Sequence, residues 1–338
     1  MSNFQKLARG LWCLLLLTPL SSLAANELNV ITALSSSDPM YQGLLAFKQG
    51  VEGETQGEIS VRIFVGSQLG SDNDILEQAI AGANVAVLVD GGRLAIYQDE
   101  MGILGAPYLA TGLKQIRQVV TSKTFDTWAQ KLSDNAGLQV FSFNWWQGER
   151  HLLTHKKIDT PADLAGVRMR TIGAPVWLET IRAMGATPTP LGWTEVYSAL
   201  QQKVIDGAEA QHPGTWGARL YEVVSHITKT GHINLISGLV GSRDWFARLT
   251  PAQQQTIRQQ ALLAGDYASN LTASSLQDYE QKMRAEGVQI DKVDLQPFIE
   301  ATKQTYAVLG YSQLRQQLQA ELKLGATTNA EQGVSDVD

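Results

Sequence analysis

An α/β fold divided between two domains is what this sequence predicts, and three observations carry the prediction. Strand-like and helix-like segments alternate along the first half of the chain. The 338 residues are more than one core of roughly 150 residues takes up. After Thr250 an apolar helical pattern runs to Gly287, and unbroken it would be about 55 Å long at 1.5 Å per residue. A hydrophobic content of 44% against 18% charged residues belongs to a globular chain, not a disordered one.

Taken in order, residues 1–25 read as a secretory signal peptide. Lys6 and Arg9 precede an apolar run from Leu11 to Leu20, and Ser22-Leu23-Ala24-Ala25 supplies small residues for cleavage. The run is shorter than the about 20 residues of a membrane span. Cys13, the only cysteine, lies inside this segment. Disulfide, thiolate and cysteine-metal chemistry are therefore excluded for the rest of the chain. Without residues 1–25, 25 basic residues face 33 acidic ones, a net charge of −8, which argues against a nucleic-acid partner. No later segment has enough consecutive apolar residues to insert stably into a membrane.

Asn29 to Thr32 reads as a first strand, followed by a helix over Pro39 to Glu54 with Tyr41, Leu44, Leu45, Phe47 and Val51 at helical spacing. Glu58 to Phe64 alternates and reads as a second strand. Gly66 to Gly70 is a turn, and a helix over Asp72 to Ala81 stops at Gly82. The continuous apolar run Val85 to Val89 and the segment Leu138 to Asn144 read as strands covered on both faces. Thr160-Pro161-Ala162-Asp163 is a helix start, with a cap, a proline at the first position and an acid in the first turn. Val167 to Thr171 is strand-like, Pro175 to Met184 is a helix closed by Gly185, and Thr194 caps a helix over Glu195 to Lys203. The pattern after Thr250 is either one strut shared by both domains or two helices broken near Gly265 or Ser269-Asn270, since helix interiors penalise glycine. Residues 326–338 are small and polar and read as a flexible tail.

No familiar catalytic signature is present. The sequence lacks HExxH, GxSxG, GxGxxG and GxxxxGK[ST] patterns. His151 and His155 lie four apart in a strand-like stretch, not on a helix, and the other three histidines form no close pair, so no metal site and no cofactor are expected. What remains is anion chemistry. Arg168 and Arg170 sit in a short strand beside a Gly/Pro-rich turn, and Arg150 precedes Arg170 by 20 residues. Arginine offers a planar fork that takes a carboxylate bidentately. Most arginines are surface groups, and spacing alone leaves both readings open. Trp145 and Trp146 end an apolar strand, and Trp193 sits in the turn before Thr194. Each either stacks on a ligand or packs in the core. Neighbours in a strand point to opposite faces, so at most one of Trp145 and Trp146 faces a given cleft.

Five blocks carry a family resemblance: TQGEISVRIFVGSQLG, LGAPYL, TPADLAGVRMRT, GATPTPLGWTEVYSALQQKVIDGAE and LTPAQQQTIRQQA. In order and spacing the chain resembles the solute-binding proteins of tripartite ATP-independent periplasmic (TRAP) transporters, the dicarboxylate-binding-protein-like family, from about Leu28 to about Ala320. The resemblance implies a two-domain Venus flytrap with a long helix spanning both domains. Domain I is then residues 26–147 plus about 236–275, and domain II residues 148–235 plus about 276–325. It implies a non-enzymatic periplasmic protein that captures a small carboxylate in the cleft and delivers it to a TRAP membrane permease. The alternative is a ligand-presenting partner of a membrane sensor, which an adjacent histidine-kinase gene would favour. Arg170 matches the family arginine that pairs with the ligand carboxylate, Arg150 an assisting basic position and Trp193 an aromatic that touches ligand. Asp90, Ser71 and Asp72 match polar positions on the domain I side. Glu209 lies in the DGAE segment, after which the family usually has Asn. Here Ala210 stands in that place, and Gln211 or His212 is the substitute.

Overall fold

The computed structural model describes residues 26–323. The expected signal peptide (1–25) and flexible tail (326–338) lie outside the described residues. Among the described residues nine strands form one sheet: β1 (Asn26–Ile31), β2 (Ile59–Phe64), β3 (Val85–Asp90), β4 (Leu138–Thr154), β5 (Arg168–Thr171), β6 (Thr187–Pro190), β7 (Gly207–Ala210), β8 (His226–Ser242) and β9 (Gln289–Lys292). Their order is β2-β1-β3-β8-β4-β7-β5-β6, with β9 also on β8. The helices are α1 (Pro39–Glu54), α2 (Asp72–Ile80), α3 (Gly91–Leu94), α4 (Gly112–Val120), α5 (Lys123–Ala136), α6 (Pro175–Ala183), α7 (Val196–Gln201), α8 (His212–Gly217), α9 (Arg243–Ala247), α10 (Pro251–Ala285), α11 (Gln296–Val308) and α12 (Ser312–Leu322).

Two long antiparallel strands, β4 and β8 of 17 residues each, hold the two lobes together. One end of β8 pairs with β3, and its other end pairs with β9. β1 to β3 are parallel and make the first lobe, while β5 to β7 are parallel and make the second. In each lobe apolar residues pack on both sheet faces. Val30, Leu44, Phe47 and Ala86 lie on one side of the first lobe, and Ile31, Ile75, Val87 and Trp128 on the other. The second lobe is filled by clusters around Leu153, Leu200 and Met283 and around Leu152, Met169 and Phe298. This explains why Val85–Val89 is apolar without alternation: every residue of β3 is buried.

Local signals in the sequence account for most element ends. Asp38 caps α1 by accepting from the Met40 amide at 2.9 Å, with Pro39 at the first position. Ser71 and Asp74 form a reciprocal capping box on α2. Three readings differ from the structure. The Leu138–Asn144 strand runs on to Thr154. The start at Thr160 makes only a single 3-10 turn, because Gly166 at φ 75° turns the chain into β5. The turn before α7 is stapled by Glu195, whose carboxylate accepts from the Gly192 amide at 2.8 Å, and not by Thr194.

The pattern after Thr250 is one helix, α10, of 35 residues. Gly265 and Ser269 do not break it; they are its contact face. A Cβ on Gly265 would meet Asn144 Oδ1 at 2.4 Å. The Asn144 amide donates to Leu262 O and Asp266 Oδ1, both at 2.8 Å, and Ser269 Oγ donates to Asn144 O at 2.7 Å. Small residues thus let β4 press against the strut. On its other side Gly43 of α1 faces Ala264 and Ala268.

Candidate functional site

Between the lobes lies an inner cavity of about 50 Å³. It is walled by Asp72, Asp90 and Arg93 on one side and by Arg170, Ile172 and Trp193 on the other. Gln147, Arg150, Gln211 and Ser237 form its floor. At Ala33, Asp72, Arg93, Ile172 and Trp193 it opens into an outer vestibule of about 530 Å³.

Arg170 is placed by β5, between β6 and β7. Its side chain is 1% exposed. Nε and Nη2 donate to the Leu191 carbonyl at 3.1 and 2.9 Å, and the guanidinium lies 5.4 Å from the Trp193 ring. Nη1 is buried with no hydrogen-bond partner among the described residues, and no carboxylate there pairs with this arginine. Burial and the neighbouring Arg150 pull its pKa down to about 9. A buried guanidinium with an unpartnered N–H on a cavity wall has the chemistry to take an anion. Arg168, two residues earlier at the start of β5, is exposed and tied to Asp206 at 2.9 Å.

Arg150 is the opposite case. It is 2% exposed, and its Nε and Nη2 are taken by the Glu209 carboxylate and carbonyl. Its Nη1 donates to Gln211 Oε1 at 3.2 Å. Burial alone would raise the Glu209 carboxyl, but Arg150 and His232 hold it at about 2. Glu209 also accepts from Thr171 Oγ1 at 2.7 Å. It therefore stands behind Arg150 and neutralises it, and does not line the cavity.

From Arg150 a chain of donors crosses the floor. Gln211 Nε2 donates to Gln147 Oε1 at 3.0 Å, and Gln147 Nε2 to Ser237 Oγ at 2.7 Å. Gln211 is thus the residue after Ala210 that reaches the cavity. His212 is not: its Nε2 meets Glu280 Oε1 at 3.1 Å, its ring packs 4.7 Å from His151, and it is buried behind the floor. The first-lobe wall hangs on Arg93. Asp90 ends β3 and caps α3, accepting from the Arg93 amide at 3.1 Å and pairing with its guanidinium. Asp72, at the start of α2, lies 3.5 Å from Arg93 Nη2.

Of the aromatic candidates, only Trp193 lines the cavity. Trp145 is 0% exposed in the core under α1, with Nε1 donating to Ser142 Oγ. Trp146 sits in the core on the other face and donates to Asn234 Oδ1 at 3.1 Å. The two do point to opposite faces, but neither face is the cleft. Irregular pairing of β4 with β8 between Trp146 and Gly148, with Gly148 at φ 106°, re-aims the strand so that Gln147 and Arg150 reach the floor instead. Ser71 lines only the outer vestibule, its hydroxyl committed to the α2 cap.

Sequence reasoning missed Arg93, Gln147, Ser237 and Trp177. Trp177 of α6 reaches across to the first lobe, where its Nε1 donates to Asp90 Oδ1 at 3.2 Å and its ring lies under Arg150 at 4.9 Å. The signal for it was Gly92: a Cβ there would come within 2.0 Å of the indole nitrogen.

Residues 30–313 match the model of the bacterial extracellular solute-binding protein, family 7. The chain belongs to this family. It is a TRAP solute-binding protein, similar to others of solved structure. One from Escherichia fergusonii, in an apo open structure, is 44% identical, covering 87% of this chain and 99% of that one, with a TM-score of 0.78. One from Ochrobacterium anthropi with bound L-fuconate is 30% identical, covering 88% and 99%, with a TM-score of 0.84. The ectoine/5-hydroxyectoine-binding periplasmic protein of Ruegeria pomeroyi is 31% identical over 67% of each chain. The less identical, ligand-bound relative is the nearer in shape, which agrees with a cleft narrowed to a small inner cavity. Family 7 proteins are extracellular solute-binding components, and no helix among the described residues is long and apolar enough to cross a membrane.

Proposed function

We propose that this family 7 protein captures a small organic acid of the sugar-acid or hydroxy-acid kind in its cleft. It delivers the acid to a TRAP permease for uptake driven by an ion gradient. The observation that carries the reading is Arg170: buried, positively charged, and with Nη1 unpartnered on the cavity wall. A carboxylate supplies what that nitrogen lacks. Trp193 offers a ring face, and the Arg150-Gln211-Gln147-Ser237 chain offers neutral hydrogen bonding for hydroxyls. The bound L-fuconate of the Ochrobacterium anthropi relative belongs to this chemical class.

In this reading the protein binds and does not catalyse. Residues 1–25 direct it to the periplasm and are removed. Residues 26–147 and about 236–275 form domain I, and residues 148–235 and about 276–325 form domain II, with one exception at the end of the chain. The last helix crosses back to domain I, since Tyr311 Oη donates to Asp99 O at 3.0 Å and Leu318 joins the first-lobe core.

A thermal-shift screen against sugar acids, hydroxy acids, dicarboxylates and neutral sugars tests the proposal. A ligand that binds only the folded state raises the melting temperature. Stabilisation by an organic acid is expected. Stabilisation by neutral sugars with none from any acid would overturn it.

A further inference from the structure

The wall facing Arg170 has an unusual charge count. Asp90, buried, and Asp72, half-buried where the cavity meets the vestibule, share a single guanidinium, Arg93. Asp90 is fully engaged: it accepts from the Arg93 amide, the Arg93 guanidinium and Trp177 Nε1. Asp72 is not. Among the described residues its charged partner is Arg93 at 3.5 Å, and its carboxylate accepts no hydrogen bond there, so it faces the cavity with acceptors to spare. Burial, and then Asp90, raise its carboxyl above the usual range, against the pull of Arg93 and Arg170. Arg150, on the floor, is already neutralised by Glu209.

The cavity thus has two unlike poles. At Arg170 one positive charge lacks a counter-ion. At Asp72 and Asp90 two negative charges hold one positive charge, and Asp72 lacks hydrogen donors. A hydroxyl supplies donors without adding charge. A second carboxylate supplies none, and it would place a third negative charge beside Arg93 at the half-buried mouth of the cavity. The floor is neutral and amide-lined, and Ser237 Oγ, having accepted from Gln147, keeps its own proton to donate to a ligand oxygen.

We propose that Asp72, Asp90 and Arg93 form a specificity wall that admits hydroxylated monocarboxylates, such as aldonates, and rejects the dicarboxylates of the same carbon skeleton, the aldarates. This rests on the ligand carboxylate meeting Arg170. Rejection comes from an unfilled need for donors at Asp72 together with like charge, a case of discrimination by an unpaired group.

The test is calorimetry of the full processed protein at pH 7.5 with matched probes: D- and L-galactonate against galactarate, and D-gluconate and L-gulonate against D-glucarate. For whichever aldonate binds, its aldarate should bind at least about 100-fold more weakly. Asp72→Asn, which keeps the shape and removes one charge, should shrink that ratio to about tenfold or less. Asp72→Ser serves if the first variant melts early. An aldarate that binds as tightly as its aldonate overturns the proposal. So does an unchanged ratio in a folded Asp72 variant, or an ammonium-bearing acid that outbinds every aldonate by filling the anionic pole with a cation. Arg170→Ala separates the two claims. If it leaves aldonate binding intact, the carboxylate reading itself fails. If it abolishes binding while aldarates and aldonates bind the wild type alike, only the specificity wall fails.

Discussion

Replacing Arg170 by alanine is the sharpest perturbation of this protein. In the folded chain Nε and Nη2 hold the Leu191 carbonyl, and Nη1 has no partner among the described residues. Without the guanidinium, a carboxylate entering the cavity is desolvated with no counter-charge. Truncating one partner of such a pair costs about 2–5 kcal/mol, or roughly 30- to 4,000-fold in affinity. Lysine keeps a charge but not the fork. It cannot hold Leu191 and the ligand together, so Arg170→Lys should lose about 1–2 kcal/mol, roughly 5- to 30-fold. Closed and empty, the same group has its pKa pushed down to about 9, first by burial and then by Arg150. Open and hydrated it keeps its charge, and in the closed form a bound carboxylate restores it. Affinity should therefore stay flat from above the carboxylate range up to about pH 10.5. Isothermal titration calorimetry from pH 6 to 10.5, with the acid found by thermal shift, reads both effects. A folded Arg170→Ala variant that binds within threefold of wild type would refute the reasoning.

Glu209→Gln leaves Arg150 buried beside a neutral partner and should destabilise the fold by about 3–5 kcal/mol in urea unfolding, because a broken buried pair strands a charge; a loss under 1 kcal/mol would show that Gln211 and the Glu209 carbonyl suffice. In the wild type, Glu209 has a folded pKa of about 2, below its ordinary value of 4.5, so its contribution is complete above about pH 4.5 and drains away as pH falls through 2, which an acid-unfolding titration measures. Trp177→Phe keeps the ring but loses the indole donor to Asp90 across the cleft, and affinity should fall roughly 5- to 30-fold for about 1–2 kcal/mol; unchanged affinity and scattering would mean that this contact does not hold the closed form. Gly265→Leu drives a side chain into Asn144 and should cost about 1–3 kcal/mol, and an unaltered melt would mean that β4 and α10 can part freely.

The elements whose cause is local were legible in the sequence. Asp38-Pro39, Ser71 with Asp74, and Thr250-Pro251 with Gln253 announce the starts of α1, α2 and α10, and the structure places a cap at each. The uniform burial of β3 could be read from its unbroken apolar run. Gly265 was ambiguous, because a glycine that breaks a helix and a glycine that lets a strand approach look alike until the partner, Asn144, is known. The lining of the cavity was legible where a family motif covered it, at Arg170, Arg150, Trp193, Asp72, Asp90 and Gln211. It was not legible where register decides. The irregular pairing at Trp146 and Gly148 breaks the two-residue period of β4, so counting alternate residues sends the reader to Trp145 or Trp146 when Gln147 is the residue on the floor. Arg93 was invisible for a different reason. Nothing in its own segment marks it, and its meaning comes from Asp72, which the chain brings beside it from another element.

The charges around the cleft also explain why closure should depend on ligand. Open and hydrated, Arg170 pays no penalty. With the lobes together, its Nη1 is buried without a partner and its pKa falls, so closing on an empty cavity carries an electrostatic cost. A carboxylate removes that cost and adds an ion pair, and the closed form then also keeps the Trp177–Asp90 hydrogen bond. Ligand thus stabilises the closed state more than the open one, which is the only way it can shift the balance between them. Arg150 could not serve this role. Glu209 neutralises it whether or not an acid is bound, and it acts as a fixed donor for the floor. The difference between the two arginines is therefore not their exposure, which is nearly equal, but whether the protein supplies the counter-ion or leaves it to the solute.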